Sequence, residues 1–448
     1  MLRKMAIDYA NKLCLAPMVR SGELPMRLLA LKYGCDLVWS PELIDRKLIQ
    51  TQRIVNHELN TVDFVVANKK NPERNEVVFR THPKSEQGKL ILQLGSNSPE
   101  IAAQAAELVI EDVDGIDLNC GCPKSFSTHG GMGAELLKTP DLLCSILVAL
   151  VENVGRKHHK PISCKIRLLP NFEASKSLIE KICATGISNV TIHCRTPIMR
   201  NRQDPIWNYL PKLIPIIKSH GISVVLNGNF QGVADLKAIQ RAMGDESLSI
   251  MLAEAAETNA SVFSQVPRTQ AEMIVELFEL GKKYHWYSGT KYMIANMTPG
   301  KSAYFQRFTQ SKNFDQMQLV VDELKERTGS EDRVCKIMTK NCQRPHLHTP
   351  AEHAEMMHSR GLQMSRYFKE WDESVMLRDL NDAVTPRLDE QQHRNKGRNN
   401  NKKKSKSKSK EGAQEDTGGS SKRTIETPPT SEEEVKRQKY EAVPVYSV

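Results

Sequence analysis

Short apolar runs alternate with amphipathic stretches through the first half of the chain. Eight runs have the length and composition of buried strands: residues 13–18, 37–40, 90–94, 115–118, 162–168, 190–194, 222–226 and 248–253. Apolar residues recur at helical spacing between them, over 24–33, from Pro99 to Glu111, and over 134–154, 173–185, 210–219 and 233–243. Residues 61–67 and 77–80 predict an inserted hairpin.

This alternation predicts a parallel sheet with helical connections. Strands that are apolar almost throughout are typical of sheets covered by helices on both faces. Eight strand-helix repeats over about 250 residues indicate a closed (β/α)8, or TIM, barrel. An open doubly wound sheet is the alternative, but no Gly-x-Gly-x-x-Gly motif follows the first strand. We therefore expect an α/β fold with a barrel over residues 1–258.

The strand pattern stops after residue 258. Residues 271–284 and 314–325 are periodic at helical spacing, and 288–297 opens another helix between them. This predicts a smaller helical domain over 259–335 and a weakly helical extension over 336–384. Residues 385–448 are rich in Lys and Ser, then in Glu, Pro and Thr, which predicts a disordered tail.

Positive charge is concentrated in that tail. The net charge is +10, and residues 391–410 hold nine Lys and Arg without an acidic residue, so the rest of the chain is nearly neutral. Such a tail indicates non-specific attraction to phosphates. It is equally typical of a nuclear-import signal.

Cysteine usage and the length of apolar runs bear on location. The ten cysteines are scattered, several of them inside predicted strands or helices, which indicates a reducing cytoplasmic or nuclear setting. The start of the chain lacks the pattern of a secretory signal. The longest apolar run, 142–151, is about half the ~20 residues that cross a bilayer, so we expect no membrane span.

The densest cluster of candidate chemistry is DGIDLNCGCPKSFSTHGGMGAEL at residues 114–136. A predicted strand opens into Asn119, Cys120 and Cys122 before a loop rich in glycine. Pro123 ends the strand because it has no amide to donate, and the glycines permit backbone angles closed to other residues. Parallel strands place ligands at their carboxyl ends, so Cys122 is a candidate reacting group.

In a barrel, residues at the carboxyl ends of the other strands converge on the same site. Those ends supply Pro17, Met18, Gln93, Asn119, Lys165, His193, Arg195, Asn227, Gly228 and Glu254. The set suits a flat, anionic redox cofactor, since Lys165 can stabilise negative charge on a reduced ring and Gln93 can pair with a pyrimidine-like edge. Gly228 and the amides near Ala253 can hold a phosphate. The thiol of Cys122, with an ordinary pKa of about 8.5, carries its proton at neutral pH.

Seven motifs together resemble the flavin-dependent tRNA-dihydrouridine synthases, and most of all their eukaryotic dihydrouridine synthase 2 branch. They are APM at 16–18, QLG at 93–95, NCGCPK at 119–124, GGMGAEL at 130–136, CKIR at 164–167, HCR at 193–195 and NGN at 227–229. The resemblance spans about residues 11–300. It implies a barrel with FMN at its mouth, reduced by NADPH, and hydride transfer to carbon 6 of a uracil flipped out of tRNA.

The resemblance also assigns roles to residues. Cys122 would protonate carbon 5 of a D-loop uridine, and Asn119 would hold the uracil edge. FMN would be contacted by Pro17, Met18, Gln93, Lys165, His193, Asn227, Gly228, Asn229, Ala253 and Glu254, with its phosphate on Gly228 and the last two amides. The RNA would be contacted by Lys124, His129, Arg195 and Lys291. We expect a monomer and no metal.

Several features depart from the family pattern. Glu254 stands where relatives usually carry Arg, and because a carboxylate repels a phosphate we expect its side chain to point away. Asn229 replaces a second glycine, and His129 replaces a common Lys, which makes the charge at this position depend on pH near neutrality. No double-stranded-RNA-binding pattern follows residue 330, so the basic tail could substitute as an RNA tether.

Other interpretations fit parts of the sequence. A small-molecule FMN oxidoreductase would share the flavin residues without needing the helical domain or the tail. An RNA-binding scaffold without redox activity is suggested by Glu254. A zinc site is a third possibility, but its spacing matches no common finger; its ligands would be Cys335, Cys342, His346, His348 and His353.

Overall fold

A computed structural model describes residues 7–327 except 69, 72–74, 202, 299 and 301. The predicted extension over 336–384, the predicted tail over 385–448 and the alternative zinc ligands lie outside the described residues.

The strands form a closed barrel and a small inserted sheet. In chain order they are β1 (Leu13–Leu15), β2 (Leu37–Trp39), β3 (Leu43–Ile44), β4 (Gln52–Asn56), β5 (Thr61–Val66), β6 (Glu76–Thr81), β7 (Leu90–Gly95), β8 (Gly115–Cys120), β9 (Ile162–Arg167), β10 (Asn189–His193), β11 (Ser223–Asn227) and β12 (Ser249–Leu252). Eight of them are parallel in the order β2-β1-β12-β11-β10-β9-β8-β7, and a β2–β7 pairing closes the ring. The predicted barrel and its eight strands are confirmed.

Helices connect the barrel strands and follow the last of them. They are α1 (Leu24–Lys32), α2 (Asp45–Leu48), α3 (Pro83–Glu86), α4 (Pro99–Val109), α5 (Ser125–Thr128), α6 (Pro140–Leu150), α7 (Arg156–His158), α8 (Phe172–Cys183), α9 (Leu210–Ser219), α10 (Val233–Met243), α11 (Glu254–Thr258), α12 (Gln270–Tyr284), α13 (Tyr287–Met297), α14 (Ala303–Gln310) and α15 (Phe314–Arg327). The described chain after β12 is helical, as predicted. Within the described ranges, no helix has the length and apolar character that crossing a bilayer requires.

The predicted helix over 134–154 is wrong in its first turn. Gly133–Lys138 is a 3-10 helix, and α6 begins only at Pro140. Proline lacks an N–H group and disfavours helical angles in the residue before it, here Thr139, so the chain breaks and then restarts with proline in the first turn. A π-helical turn, Val151–Gly155, follows α6.

The predicted hairpin is in fact a three-stranded antiparallel sheet, β4-β5-β6. Strand β4 was missed because its residues are mostly solvent-exposed and show no apolar alternation. Arg80 anchors this sheet. Its guanidinium forms a buried ion pair with Asp63, with Nε 2.6 Å from Oδ1, and donates to the carbonyl of Tyr284 in α12 at 2.7 Å.

The barrel strands share an apolar face that continues into polar residues. Tyr9, Cys14, Ala16, Leu37, Trp39, Ile91, Val225 and Met251 form one buried cluster. Side chains two positions apart on a strand point the same way. Gln93 therefore follows Ile91, and Asn227 follows Val225, toward the carboxyl ends of the barrel.

Candidate active site

A turn at the end of β8 holds Cys122. The side-chain oxygen of Asn119 accepts hydrogen bonds from the backbone amides of Gly121 at 3.0 Å and Cys122 at 3.1 Å. The carbonyl of Cys122 accepts a hydrogen bond from the amide of Ala134 at 2.9 Å. The chain on both sides of Cys122 is therefore fixed, while its thiol is partly exposed at the barrel mouth.

The glycine-rich loop packs tightly against this turn. Gly133 has a φ of +60°, and a Cβ added there would lie 2.4 Å from Ser127 Oγ and 2.6 Å from the carbonyl oxygen of Cys122. Glycine is thus required both by the backbone angle and by the close approach. The Asn97 amide holds the loop to the end of β7 by donating to the carbonyl of Gly130 at 2.8 Å.

Glu42, which the sequence interpretation did not single out, lies beside Cys122. Its Oε1 accepts a hydrogen bond from Ser127 Oγ at 2.7 Å. Burial raises the pKa of Glu42, and the nearby side chains of Ser127, Asn119 and Cys122 favour its charged form. Burial, and next the charge of Glu42, raise the pKa of Cys122, so the thiol keeps its proton at neutral pH. The signal was available, because Glu42 follows the carboxyl end of β2.

A chain of polar side chains crosses the barrel interior. Asp117 accepts hydrogen bonds from Gln93 Nε2 at 2.9 Å and from Ser163 Oγ at 2.7 Å. Burial raises the pKa of Asp117 to about 6, while these donors and Lys165 favour its charged form. The amide of Gln93 is thereby fixed in orientation, which sets its Oε1 as the acceptor for a ligand.

Lys165 and Asn119 are paired in the register of β8 and β9. Burial, and next the charge of Arg167, lower the pKa of Lys165 to about 8. The ammonium group is therefore still mostly protonated at neutral pH. This places a half-buried cation one strand away from the turn that holds Cys122.

Arg167 is a second residue that the sequence interpretation left out. It donates to the carbonyl of Gly121 at 2.8 Å and to the carbonyl of Thr196 at 3.0 Å, which ties the end of β8 to the loop after β10. Burial, and next the charge of Arg195, lower the pKa of Arg167 to about 10. Its position two residues after Lys165, on the same face of β9, was the available signal.

Arg195 supports His193 and the loop that follows. It donates to the carbonyl of Gln203 at 2.8 Å, and its Nη1 lies 3.3 Å from His193 Nε2. Burial, and next Arg167, lower the pKa of His193 well below its ordinary value, so its imidazole is neutral. Because Arg can only donate, His193 Nε2 accepts and the ring proton sits on Nδ1. The predicted RNA contact of Arg195 stays a prediction, since the structure shows this side chain 4% exposed and bonded to loop carbonyls.

The loop after β11 carries the predicted phosphate contacts. Asn227 Nδ2 donates to the carbonyl of Met251 at 2.8 Å, which ties β11 to β12. Gly228 has a φ of +136°, and an added Cβ would meet Cys194 and Pro205 at 3.4 Å. Asn229 has a φ of +61°. Asn adopts this left-handed conformation more readily than other residues except Gly, which explains how it replaces glycine here.

Ala253 and Glu254 begin the five-residue helix α11. Ala253 packs against the apolar cluster inside the barrel. The carboxylate of Glu254 interacts with the guanidinium of Arg195 and favours its charged form, although burial lowers the pKa of Arg195 overall. Glu254 thus interacts with a cation of the protein. The expectation that its side chain points away from a bound phosphate stays a prediction.

The remaining predicted residues lie around the mouth or beyond it. Pro17 and Met18 are partly exposed after β1, and Met18 packs against the apolar cluster. Lys124 and His129 are exposed at the two ends of α5, next to Cys122. Lys291 lies in α13, where its Nζ donates to the carbonyl of Ser311 at 2.7 Å. The other predicted site residues lie at the barrel mouth, whereas Lys291 lies in the helical part of the chain after β12.

These residues fit an anionic flavin. Lys165, Arg167 and Arg195 lie close enough for their charges to affect one another, and Asp117, the buried acid beside Lys165, has a raised pKa. The site therefore favours a ligand with negative charge. Gly228, with a φ of +136°, has no side chain that could cover its backbone amide, which a phosphate contact requires. No group of three or more His, Cys, Asp or Glu side chains within the described ranges could hold a metal ion.

Comparison with protein-family models matches residues 14–343 to Dihydrouridine synthase (Dus). A Saccharomyces cerevisiae protein named tRNA-dihydrouridine(20) synthase [NAD(P)+] is 45% identical over 344 residues, which cover 75% of this chain and 89% of that protein. A Schizosaccharomyces pombe protein of the same name is 45% identical over 300 residues, covering 66% of this chain and 61% of that protein.

More distant similarities were also found. A Homo sapiens protein named tRNA-dihydrouridine(20a/20b) synthase [NAD(P)+]-like is 30% identical over 294 residues, covering 64% of this chain and 83% of that protein. Among solved structures, morphinone reductase in complex with tetrahydroNAD aligns over 56% of this chain and 85% of its own, with a TM-score of 0.34 and 10% identity. That similarity is too low to support an argument about function.

Proposed function

Because the chain belongs to the dihydrouridine synthase family, we propose that it is an FMN-dependent tRNA-dihydrouridine synthase that uses NADPH to reduce uridine 20 of tRNA. The position is taken from the names of the two fungal relatives at 45% identity. The observation that carries the proposal is the thiol of Cys122, which Asn119 fixes at the barrel mouth one strand from the half-buried cation Lys165. The family match supports this function and neither the small-molecule oxidoreductase nor the inactive scaffold.

In the proposed reaction, the uracil receives a hydride from FMN and a proton from Cys122. FMN, when bound, supplies the hydride for carbon 6 of the uracil. Lys165 and Arg167 would supply positive charge for an anionic ring, and Gln93 Oε1 would accept from a ring N–H group. Cys122 gives its proton to carbon 5, which is general-acid catalysis by a thiol that burial keeps protonated. Asn119 positions that thiol through the backbone amide of Cys122.

The RNA must deliver its uridine to this mouth. A base stacked inside tRNA cannot reach a buried ring, so it is extruded into the pocket. Lys124 and His129 are exposed on the rim for phosphate contact. Residues 1–258 would then form the catalytic domain and 259–335 the tRNA-binding domain, with Lys291 among its contacts. The protein would act as a monomer in the cytoplasm, and its basic tail would tether RNA or serve nuclear import.

The test is a visible absorption spectrum of the purified protein, NADPH addition, and a dihydrouridine assay on unmodified tRNA. We expect a flavin spectrum that bleaches with NADPH and dihydrouridine at position 20 of the product. Dihydrouridine only at another position would overturn the assignment of uridine 20. A protein that stays colourless when FMN is supplied, yet binds tRNA, would overturn the enzymatic proposal.

A further inference from the structure

A buried carboxylate of unassigned role lies at the centre of the thiol turn. Glu42 is 9% exposed, and it comes from the segment after β2 rather than from the thiol loop. Its Oε1 accepts a hydrogen bond from the hydroxyl of Ser127 at 2.7 Å. Its Oε2 is buried without a hydrogen bond of ordinary geometry. A buried carboxylate held in this way requires compensation and is unusual outside functional sites.

The fold makes space for this side chain. A Cβ added to Gly95, at the end of β7, would lie 2.6 Å from Glu42 Oε1. A Cβ added to Gly133 would lie 2.4 Å from the hydroxyl of Ser127, the partner of Glu42. Gly95 thus leaves room for Glu42 at the end of β7, and Gly133 leaves room for Ser127 beside the backbone of Cys122.

The groups around Glu42 are hydrogen-bond donors. Asn119 Oδ1 is occupied by two backbone amides, so the group that Asn119 can turn toward Glu42 is its NH₂. Ser127 donates its hydroxyl to Glu42 Oε1, and the Cys122 thiol lies near enough for the two groups to affect each other's pKa. Burial raises the pKa of Glu42, and the neighbouring Ser127, Asn119 and Cys122 side chains oppose that effect by favouring its charged form. A negative charge near the thiol opposes its ionisation.

We propose that Glu42 is a positioning residue that keeps Cys122 in its protonated form between turnovers. This rests on the proposed role of Cys122 as proton donor. In each turnover the S–H bond breaks, its proton forms a C–H bond at carbon 5, and a thiolate remains beside the carboxylate. Two adjacent negative charges favour uptake of one proton from water, and that proton restores the thiol.

The test compares Glu42→Gln with Glu42→Asp, which retains the charge, and with Ser127→Ala, which removes one donor. The first measurement is the pH dependence of alkylation of Cys122 by iodoacetamide, with Cys122→Ala protein as the blank. For Glu42→Gln we expect the midpoint to fall by about one pH unit or more. For Glu42→Asp we expect a midpoint close to that of the wild-type protein, because the charge is retained. For Ser127→Ala we expect a smaller shift of the midpoint than for Glu42→Gln.

The second measurement is single-turnover uridine reduction by enzyme reduced beforehand with NADPH. For Glu42→Gln we expect the upper pH limit of uridine reduction to fall together with the alkylation midpoint, with a loss of about tenfold one pH unit above the new midpoint, while flavin reduction by NADPH is unchanged. An unshifted alkylation midpoint in Glu42→Gln, with the protein folded by its thermal transition, overturns the proposal. Because alkylation needs neither tRNA nor turnover, this outcome is distinguishable from failure of the proposed function.

Discussion

Asn119 fixes the position of Cys122 by accepting the backbone amide of Cys122 on its side-chain oxygen, at 3.1 Å. The same oxygen accepts the amide of Gly121 at 3.0 Å. The side-chain oxygen of Asn119 is thus occupied by the backbone of the turn that holds Cys122. The role predicted for Asn119, holding the uracil edge, can be fulfilled only by its NH₂ group.

Replacing Asn119 with Ala removes both of these hydrogen bonds. We expect uridine reduction to fall about 100-fold, because a displacement of about 1 Å at a reacting group has an effect of that size. Flavin reduction by NADPH should not change, and the two half-reactions are measured separately by stopped-flow absorption. Asn119→Asp keeps the acceptor for both backbone amides, but it removes the NH₂ group and adds negative charge near Glu42. We expect it to keep the geometry of the turn and still to lose uridine reduction. Wild-type uridine reduction by Asn119→Ala would contradict the positioning role.

Cys122→Ala should leave flavin binding and NADPH oxidation intact and abolish dihydrouridine formation, because the proton for carbon 5 is missing. The assay is dihydrouridine content of tRNA by mass spectrometry. Cys144→Ala is the matched control, since Cys144 is also a partly exposed free cysteine but lies on α6. Normal dihydrouridine formation by Cys122→Ala would remove this thiol from the mechanism.

Gly133→Ala and Gly131→Ala form a matched pair in the loop next to Cys122. Both positions have positive φ, +60° and +72°, so each substitution should lower the free energy of unfolding by about 1–2 kcal/mol. Only at Gly133 would the new Cβ overlap Ser127 and Cys122, whereas at Gly131 its nearest neighbour is 3.5 Å away. We expect the larger loss of stability and of uridine reduction at Gly133, measured by urea denaturation and single turnover. Equal effects would mean that the backbone angle alone matters.

The pKa of Lys165, lowered by burial to about 8, predicts a pH-dependent flavin potential. Above pH 8 the resting enzyme has lost this proton, and negative charge on a reduced flavin draws it back. Reduction then takes up one additional proton, so the potential should fall by an extra ~30 mV per pH unit above pH 8. Lys165→Met should abolish the extra slope, and Lys138→Met, at an exposed site, should keep it. Identical slopes in the wild type and Lys165→Met would contradict this assignment.

Arg80 should matter for stability rather than chemistry. It joins Asp63 of the inserted sheet to Tyr284 of α12, and both ionic partners are buried. Arg80→Ala leaves a carboxylate buried without its partner, so we expect a loss of about 3–5 kcal/mol in the free energy of unfolding. Lys138→Ala, which removes an exposed pair with Glu135, should change it by less than about 1 kcal/mol. Thermal and urea denaturation measure both, and a similar small effect at Arg80 would contradict the anchoring role.

Local sequence predicted the barrel well because its strands are buried on both faces and interrupted by regular helices. Strand β4 was missed for the opposite reason, since most of its residues are exposed and carry no apolar pattern. The helix over 134–154 was started too early because apolar spacing continues through Thr139, whereas the missing amide of Pro140 interrupts the backbone.

The candidate site was only partly predictable. Cys122, Lys165 and Gln93 were singled out because each lies near the carboxyl end of an apolar strand or just after it, and their roles stay predictions. Glu42 and Arg167 have the same kind of position, but their importance depends on which residues they meet. Glu42 meets Ser127, which is 85 positions away in the chain, and Arg167 meets the carbonyls of Gly121 and Thr196.

The sequence by itself determined the order and type of the barrel elements, the position of a candidate thiol after β8, and the family, because periodicity and short motifs are properties of neighbouring residues. Only the tertiary structure decided which carboxylate faces that thiol, which arginines are committed to loop carbonyls, and which proton His193 retains. These contacts join side chains from separate strands, so they depend on the register and closure of the barrel. No local pattern contains that information.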